Sequence, residues 1–317
     1  MRVVVALGGN ALLRRKERPD ASVQLANLRT AVAALAPLAH HHELVITHGN
    51  GPQVGVLALE SAADHALSRP YPFDVLGAET QGMIGYWLLQ SLQNALPGRQ
   101  ICALLNQTLV AADDPAFDDP QKFVGPVHER AEAERLAAAH GWTVRRDGPH
   151  WRRVVPSPRP LCVVETRLIR LLLDSGAVAV CAGGGGVPVV RDAQGRLSGV
   201  EAVVDKDLTA ALLAEALDAD ALLLLTDVTH VERGHGTPEA APIGLTTAAR
   251  LRSQRFAAGS MGPKVDAACR FVERTGGLAA IGALGDAQAL LDGATGTVVT
   301  PGGRLPGRRP HVRRETR

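Results

Sequence analysis

The sequence predicts an α/β protein: a three-layer αβα sandwich around a mainly parallel sheet, with a small protruding lid subdomain. Three observations predict it. Short β-branched runs alternate with longer Ala- and Leu-rich stretches of helical period along the 317 residues, which is the pattern of βαβ units. The short runs are almost continuously apolar, as strands covered on both faces must be. One interval, 111–160, breaks the alternation with a high content of Asp, Pro and Arg.

Each element has its own reason. Val-Val-Val-Ala-Leu at 3–7 is a strand that runs into Gly8-Gly9. A periodic helix over 23–39 follows, and His40-His41-His42 falls at its end, where cations are favoured and no metal is needed to explain them. Leu-Val-Ile-Thr at 44–47 is the second strand; Pro52, preset for a first helical turn, opens a helix over 53–67. A helix over 78–95 leads to a strand at 101–105. The odd interval contains an amphipathic helix at 131–140, then β-like pieces at 143–146 and 152–155 around Asp147-Gly148-Pro149-His150, a hairpin signature. Helix 166–175, strand 177–181, helix 208–217 and strand 221–225 resume the alternation. Helices 246–254 and 265–275 and strands 278–281 and 297–300 complete it.

Composition bounds the class. Hydrophobic residues make up 46% and charged residues 21%, enough for a substantial core, in one large domain or two lobes. No apolar run approaches the roughly 20 residues that cross a bilayer, and the chain opens on a strand, so a soluble, cytoplasmic protein without membrane partners is expected. Cys102, Cys162, Cys181 and Cys269 are dispersed; buried thiols are expected rather than disulfides or a zinc site. A net charge of +2 gives no argument for nucleic acid. The basic segment 302–317 reads as a solvated, disordered tail.

The lysines carry the first chemical signal. Only four residues are Lys, against 30 Arg, and three of the four, Lys122, Lys206 and Lys264, sit in motifs rich in Gly, Pro and paired acids; Lys16 lies in a basic run. A compact ammonium on a flexible stem suits a phosphoryl group whose charge moves during reaction. Four strand exits carry the second signal: Gly8-Gly9-Asn10, His48-Gly49-Asn50-Gly51-Pro52, the glycine run 183–186, and Thr226-Asp227. Any one is explained by a tight turn. Several at the carboxyl edge of one sheet point to an anion site. Neither a Walker A loop nor GxGxxG occurs.

These motifs resemble the carbamate kinases, within the amino acid kinase superfamily. The resemblance is carried by segments 4–12, 47–55, 79–86, 114–126, 152–158, 183–188, 199–211, 225–228 and 256–264, in family order up to about residue 301. Relatives such as acetylglutamate kinase carry a lysine just after the first glycine pair, where Asn10 stands here, and Lys122 matches the lysine that carbamate kinases supply instead from their protruding subdomain. Two departures stand out: Gln121 replaces a usual Thr, and 229–236 lacks the aromatic residues often found there.

The resemblance implies the amino acid kinase fold over 1–301, with an N-lobe (about 1–190) for carbamate or carbamoyl phosphate, a lid (about 111–160) and a C-lobe (about 191–301) for nucleotide. It implies reversible transfer, ATP + carbamate ⇌ ADP + carbamoyl phosphate, in a homodimer, used to make ATP. Lys122, Lys206 and Lys264 would surround the transferring group. Asp207 would hold the lysines, and Asp205 would assist or hold metal-bound water; N-capping alone would explain one of these acids. Gly8, Gly9, Asn10, Asn50 and Gly51 would bind the carbamoyl phosphate end, and Gly184, Gly185, Thr226, Asp227, Met261 and Gly262 the nucleotide. Mg²⁺ would arrive with ATP or ADP, with no metal site of the protein's own. The lid would carry Lys122 to the phosphate only on closing. Another small-acid or phosphonate kinase of this fold, or a noncatalytic nucleotide sensor, are the competing readings; the sensor leaves three lysines and two acids without a purpose.

Overall fold

The computed structural model describes residues 1–14, 17–256 and 261–305, apart from the Asn10 side chain. Lys16 and most of the basic segment 302–317 therefore lie outside the described residues. In chain order the first part comprises β1 (Arg2–Leu7), α1 (Ala21–His41), β2 (Glu43–His48), α2 (Gly51–Ala63), α3 (Phe73–Ala95), β3 (Ile101–Ala103) and β4 (Gln107–Val110). The interrupting interval forms β5 (Lys122–His128), α4 (Arg130–His140), β6 (Thr143–Asp147) and β7 (His150–Val155). Then come β8 (Pro160–Val163), α5 (Thr166–Asp174), β9 (Val178–Val180), β10 (Val187–Arg191), β11 (Leu197–Gly199), α6 (Lys206–Ala216) and β12 (Ala221–Thr226). A ribbon of β13 (Val231–Arg233) and β14 (Ala241–Ile243) precedes β15 (Leu245–Thr246), α7 (Ala248–Arg252), α8 (Met261–Thr275), β16 (Leu278–Ala283), α9 (Ala287–Leu291) and β17 (Thr297–Val299).

The main sheet has the order β15-β17-β16-β12-β1-β2-β9-β3. All its pairings are parallel except β16 with β17, where Ala279 faces Val299. Alternation along each strand sends residues to two cores. Val4, Ala6, Leu222, Leu224 and Ile281 join one core with residues of α5, α6 and α8; Val3, Val5, Leu7, Leu223 and Leu225 join the other with residues of α1, α3 and α9. Both faces are therefore dry, which is why the strands read as unbroken apolar runs.

A second sheet, β11-β10-β4-β8, is mixed and was not expected from the sequence. Its strands are short, and β4 alternates half-buried and buried residues, so no long apolar run marks it. Helix 246–254 shrinks to α7 because Thr246 pairs in β15 and Thr247 accepts a bond from the Arg250 N–H as N-cap. The 101–105 strand ends at Ala103, and Leu105 is exposed. The four cysteines are free, but Cys162, on the outer strand β8, is exposed rather than buried. Among the described residues no helix is long and apolar enough to cross a membrane.

The lid is a three-stranded sheet, β5-β7-β6, backed by α4. Gly141 ends α4 in the left-handed conformation, φ +69°, as a C-terminal glycine should. The β6–β7 hairpin closes through Gly148, φ +62°, followed by Pro149, between the paired residues Asp147 and His150. The lid's two connections are stapled by Asp114, whose carboxylate accepts from the N–H groups of Ala116 and Arg159. The lid presses on α2 where Gly55 meets Gly125: a Cβ at Gly55 would stand 2.9 Å from the Gly125 Cα, and Gly125 is itself held at φ +70°. Gly55→Ala should therefore cost ~1–3 kcal/mol by overpacking, read as a lower urea midpoint; an unchanged midpoint would show that β5 yields freely.

Candidate active site

Four adjacent strands, in the order β12-β1-β2-β9, deliver the three glycine-bearing exits and Thr226-Asp227 to one edge. The turn after β9 is the most constrained. Ala182 adopts φ +50°, and Gly184, Gly185 and Gly186 follow at +65°, +92° and +85°. A β-carbon on Gly183 would fall 2.3 Å from the His48 ring, and one on Gly184 2.3 Å from the Asn50 amide nitrogen. Gly183 is thus required by close approach, and Gly184 by close approach and backbone conformation together. Asn106 holds the strained turn: its Oδ1 accepts from the Ala182 N–H at 3.0 Å. Gln81 clamps Asn106 in turn, accepting from its N–H and donating to its carbonyl, while Glu165 accepts from its side chain.

His48 is 1% exposed and its Nδ1 lies 3.1 Å from the Gly49 carbonyl. A carbonyl can only accept, so Nδ1 carries the proton. Burial pushes the imidazole down to about 4; at neutral pH it is uncharged and weakly basic, an anchor for the loop through Gly49. Asn50 donates to the Thr80 hydroxyl at 2.8 Å, which fixes its side chain over Gly184. Helix α2 begins at Gly51 with Pro52 in its first turn, leaving free amide groups at the loop.

The charged groups form one chain of hydrogen bonds. Asp205 caps α6, its Oδ1 accepting from the Asp207 and Leu208 N–H groups, while its Oδ2 accepts from Lys122 Nζ at 2.9 Å. Asp207, in the first turn of α6, accepts from Lys206 at 2.7 Å and from Lys264, in the first turn of α8, at 2.8 Å. One acid is therefore a cap and the other is not. Burial alone would raise the Asp207 carboxyl, but Lys206 and Lys264 hold it well below the usual carboxylate range. Burial pulls Lys206 down against the attraction of Asp207, whereas at Lys264 Asp207 outweighs burial and raises it. Lys122, on β5 of the lid, lines the same cavity as Lys206 and Lys264, with its ammonium on Asp205.

These groups surround a cavity of about 270 Å³. That volume lies near the small end of ligand pockets, ~300–1,000 Å³. Gly8, Gly9, Asn50, Gly51, Gly184, Thr226, Asp227, Asp205, Asp207 and all three lysines line it. Gly185 does not; its carbonyl points to the Thr108 and Thr209 hydroxyls. Met261 and Gly262 begin α8 behind Pro263 and Lys264, which do line the cavity. Asn10 lies in the turn after β1, with its side chain outside the described residues. Sequence reasoning assigned no ligand-binding or catalytic role to Gly49, Pro52, Val54, Phe123, Val124, Val203, Val204 and Pro263 of the lining, although all stand inside quoted motifs, and it missed the Asn106 clamp, which stands in none.

Comparisons with known proteins agree in direction. The sequence profile of the Amino acid kinase family matches residues 1–281. The chain is 52% identical over 303 residues to a carbamate kinase of Rhizobium meliloti, covering 95% of this chain and 93% of that one. It is 49% identical over 298 residues to a carbamate kinase of Escherichia coli K12, covering 94% and 99%. Its structure superposes with a TM-score of 0.87 on a carbamate kinase from Giardia lamblia bound to AMP-PNP, at 39% identity, covering 95% and 98%.

Because Asp207 separates two buried cations, Asp207→Asn should cost ~3–5 kcal/mol of stability at neutral pH. The sign in pH follows from the lowered folded value: the Asp207 contribution is fully present above its unfolded value of about 3.9 and is lost as pH falls through the folded one. Urea titrations from pH 7 to 2 should show a shallower acid loss in Asp207→Asn; parallel profiles would show that Asp207 does not carry it.

Proposed function

The chain belongs to the amino acid kinase family, and within it to the carbamate kinases, and from that premise we propose that it transfers a phosphoryl group reversibly between ATP and carbamate, working toward ATP. The observation that carries this reading is that the three lysines, drawn from three distant motifs, meet around one small cavity with Asp207 between two of them.

The chemistry asks for little more. The attacking carbamate oxygen is already anionic, so no general base is needed, and a neutral His48 is consistent with that. Phosphoryl transfer needs alignment and charge neutralisation along the line of attacking oxygen, phosphorus and leaving oxygen. We assign Lys122, Lys206 and Lys264 to that neutralisation and Asp207 to aligning the latter two. The loop amides at Gly8, Gly9 and Gly51, with Asn10 and Asn50, take the carbamoyl phosphate end in the 1–190 lobe. Thr226 and Asp227, with Met261 and Gly262 at the start of α8, belong to the nucleotide side in the 191–301 lobe, and Gly184 meets them from the end of the 1–190 lobe. Gly185 serves the same side only as a support for its neighbour.

The donor set suits Mg²⁺ brought in on phosphates rather than held in a protein cage. Among the described residues no group of three or more His, Cys, Asp or Glu side chains could hold a metal, and Asp205 and Asp207 are both engaged by lysines. Mg²⁺ is commonly held by substrate phosphates and one or two carboxylates; Asp205 and Asp227 are the carboxylates on this cavity that could complete its shell. The ion supplies neutralisation of the nucleotide's phosphate oxygens when bound.

ATP formation from ADP and carbamoyl phosphate is the deciding assay, and ligand binding without turnover would favour a sensor instead. Lys122→Ala, Lys206→Ala and Lys264→Ala should each lower turnover by at least ~10²-fold; near-normal turnover in a folded variant would remove that lysine from the mechanism. We further propose a homodimer, supported by the apolar run at 82–87 on α3, where Tyr86 is 56% exposed. Light scattering should give twice the 33.3 kDa chain mass; a monomer at working concentration would overturn that proposal.

A further inference from the structure

Arg153 stands outside the cavity, yet it joins the lid to the body through two aromatic rings and a carboxylate. On β7 it lies opposite Val124 of β5 on one side and Val144 of β6 on the other. Its guanidinium sits 4.3 Å from the ring centre of Trp142, in the lid, and 4.5 Å from that of Phe73, the first residue of α3 in the body. From that stack it donates to Glu201 Oε1 at 2.8 Å, and Glu201 Oε2 accepts from the Phe73 N–H at 2.9 Å. The Arg153 side chain is only 15% exposed. Burial draws its guanidinium below the ordinary range against the pull of Glu201. A planar cation can stack on two rings and keep its edge for a carboxylate; a lysine cannot do both.

Geometry connects this cluster to the reacting groups. Lys122 is the residue opposite Val155, two positions along β7 from Arg153. The next carbonyl, Pro156 O, accepts from the Val203 N–H at 3.0 Å. Glu201, Val203 and Asp205 are thus alternate residues of one short segment, tied to the lid at Arg153, Pro156 and Lys122 in turn. That segment leads directly into Lys206 and Asp207.

We infer that Arg153 is a positioning residue: stacked between Phe73 and Trp142 and bonded to Glu201, it fixes the lid against the 201–205 segment and so sets where the Lys122 ammonium stands over the reacting phosphate. This rests on the proposed role of Lys122 in phosphoryl transfer. A displacement of about 1 Å in a reacting group can cost ~10²-fold in rate, so a partial loosening of this clamp should be visible in turnover.

The test is a double-mutant cycle in full-length protein, read as ATP formation at saturating ADP and carbamoyl phosphate. Arg153→Lys alone should lower kcat about 10-fold, with the ADP dissociation constant, measured by calorimetry, within about twofold of wild type. Placed on Lys122→Ala, it should cause no further loss, because the group it positions is gone. Glu201→Gln gives a second cycle with the same expected pattern and serves if Arg153→Lys does not fold. An unchanged kcat in Arg153→Lys, or the same ~10-fold loss in the Lys122→Ala background, would overturn the inference and leave Arg153 a structural residue. A Lys122→Ala enzyme of normal turnover would instead overturn the role of Lys122, and this inference with it.

Discussion

A single buried carboxylate, Asp207, sits between two ammonium groups, and the arrangement of the cavity follows from it. Lys206 and Asp207 occupy the first turn of α6, and Lys264 the first turn of α8. These two helices pack through small residues, Ala210, Ala211 and Ala214 against Ala267 and Ala268, within one core. Close packing brings two positive helix ends and two lysines to the same place. Without an anion there, both lysines would be desolvated beside a like charge, the arrangement that most strongly favours loss of a proton. Asp207 makes it possible for α6 and α8 to converge with both side chains charged. Asp205 does the corresponding work one step outward, ending the helix with one oxygen and holding Lys122 with the other.

What could be read from the sequence follows from where the burial lies. The main sheet was legible because its strands are dry on both faces, so β1, β2 and β12 announce themselves as unbroken apolar runs. The second sheet was not, because β4 alternates and β11 is the three-residue run Leu-Ser-Gly. In the site, the lysines were legible through rarity and the strand exits through glycine. The supporting groups were illegible for a different reason. Asn106, Gln81 and Glu165 act on main-chain atoms from three separate segments, and the strain they hold sits on an alanine, Ala182, a residue type that gives no warning of a left-handed backbone. Arg153 and Glu201 meet only because the lid folds back on the body.

The lid is bound at several points of different character. Gly55 against Gly125 is steric, Pro156 to Val203 is a main-chain bond, Arg153 is stacked and ionic, and Lys122 is ionic and faces the cavity. At Lys122 the lysine side chain is 36% accessible and its partner Asp205 13%. The lid is therefore held by contacts of several kinds, of which the one at Lys122 is the contact shared with the cavity.

The pairing of Lys264 with Asp207 has a consequence for the chemical survival of the protein. A carbamoyl phosphate is an activated acyl compound, and an amine attacks such compounds only through its free lone pair. An ammonium has none. Asp207 accepts from the Lys264 ammonium and offsets the burial that would favour the neutral amine, so the nitrogen is held without a free lone pair. The same carboxylate that lets the charges converge thus also lowers the nucleophilicity of one of them.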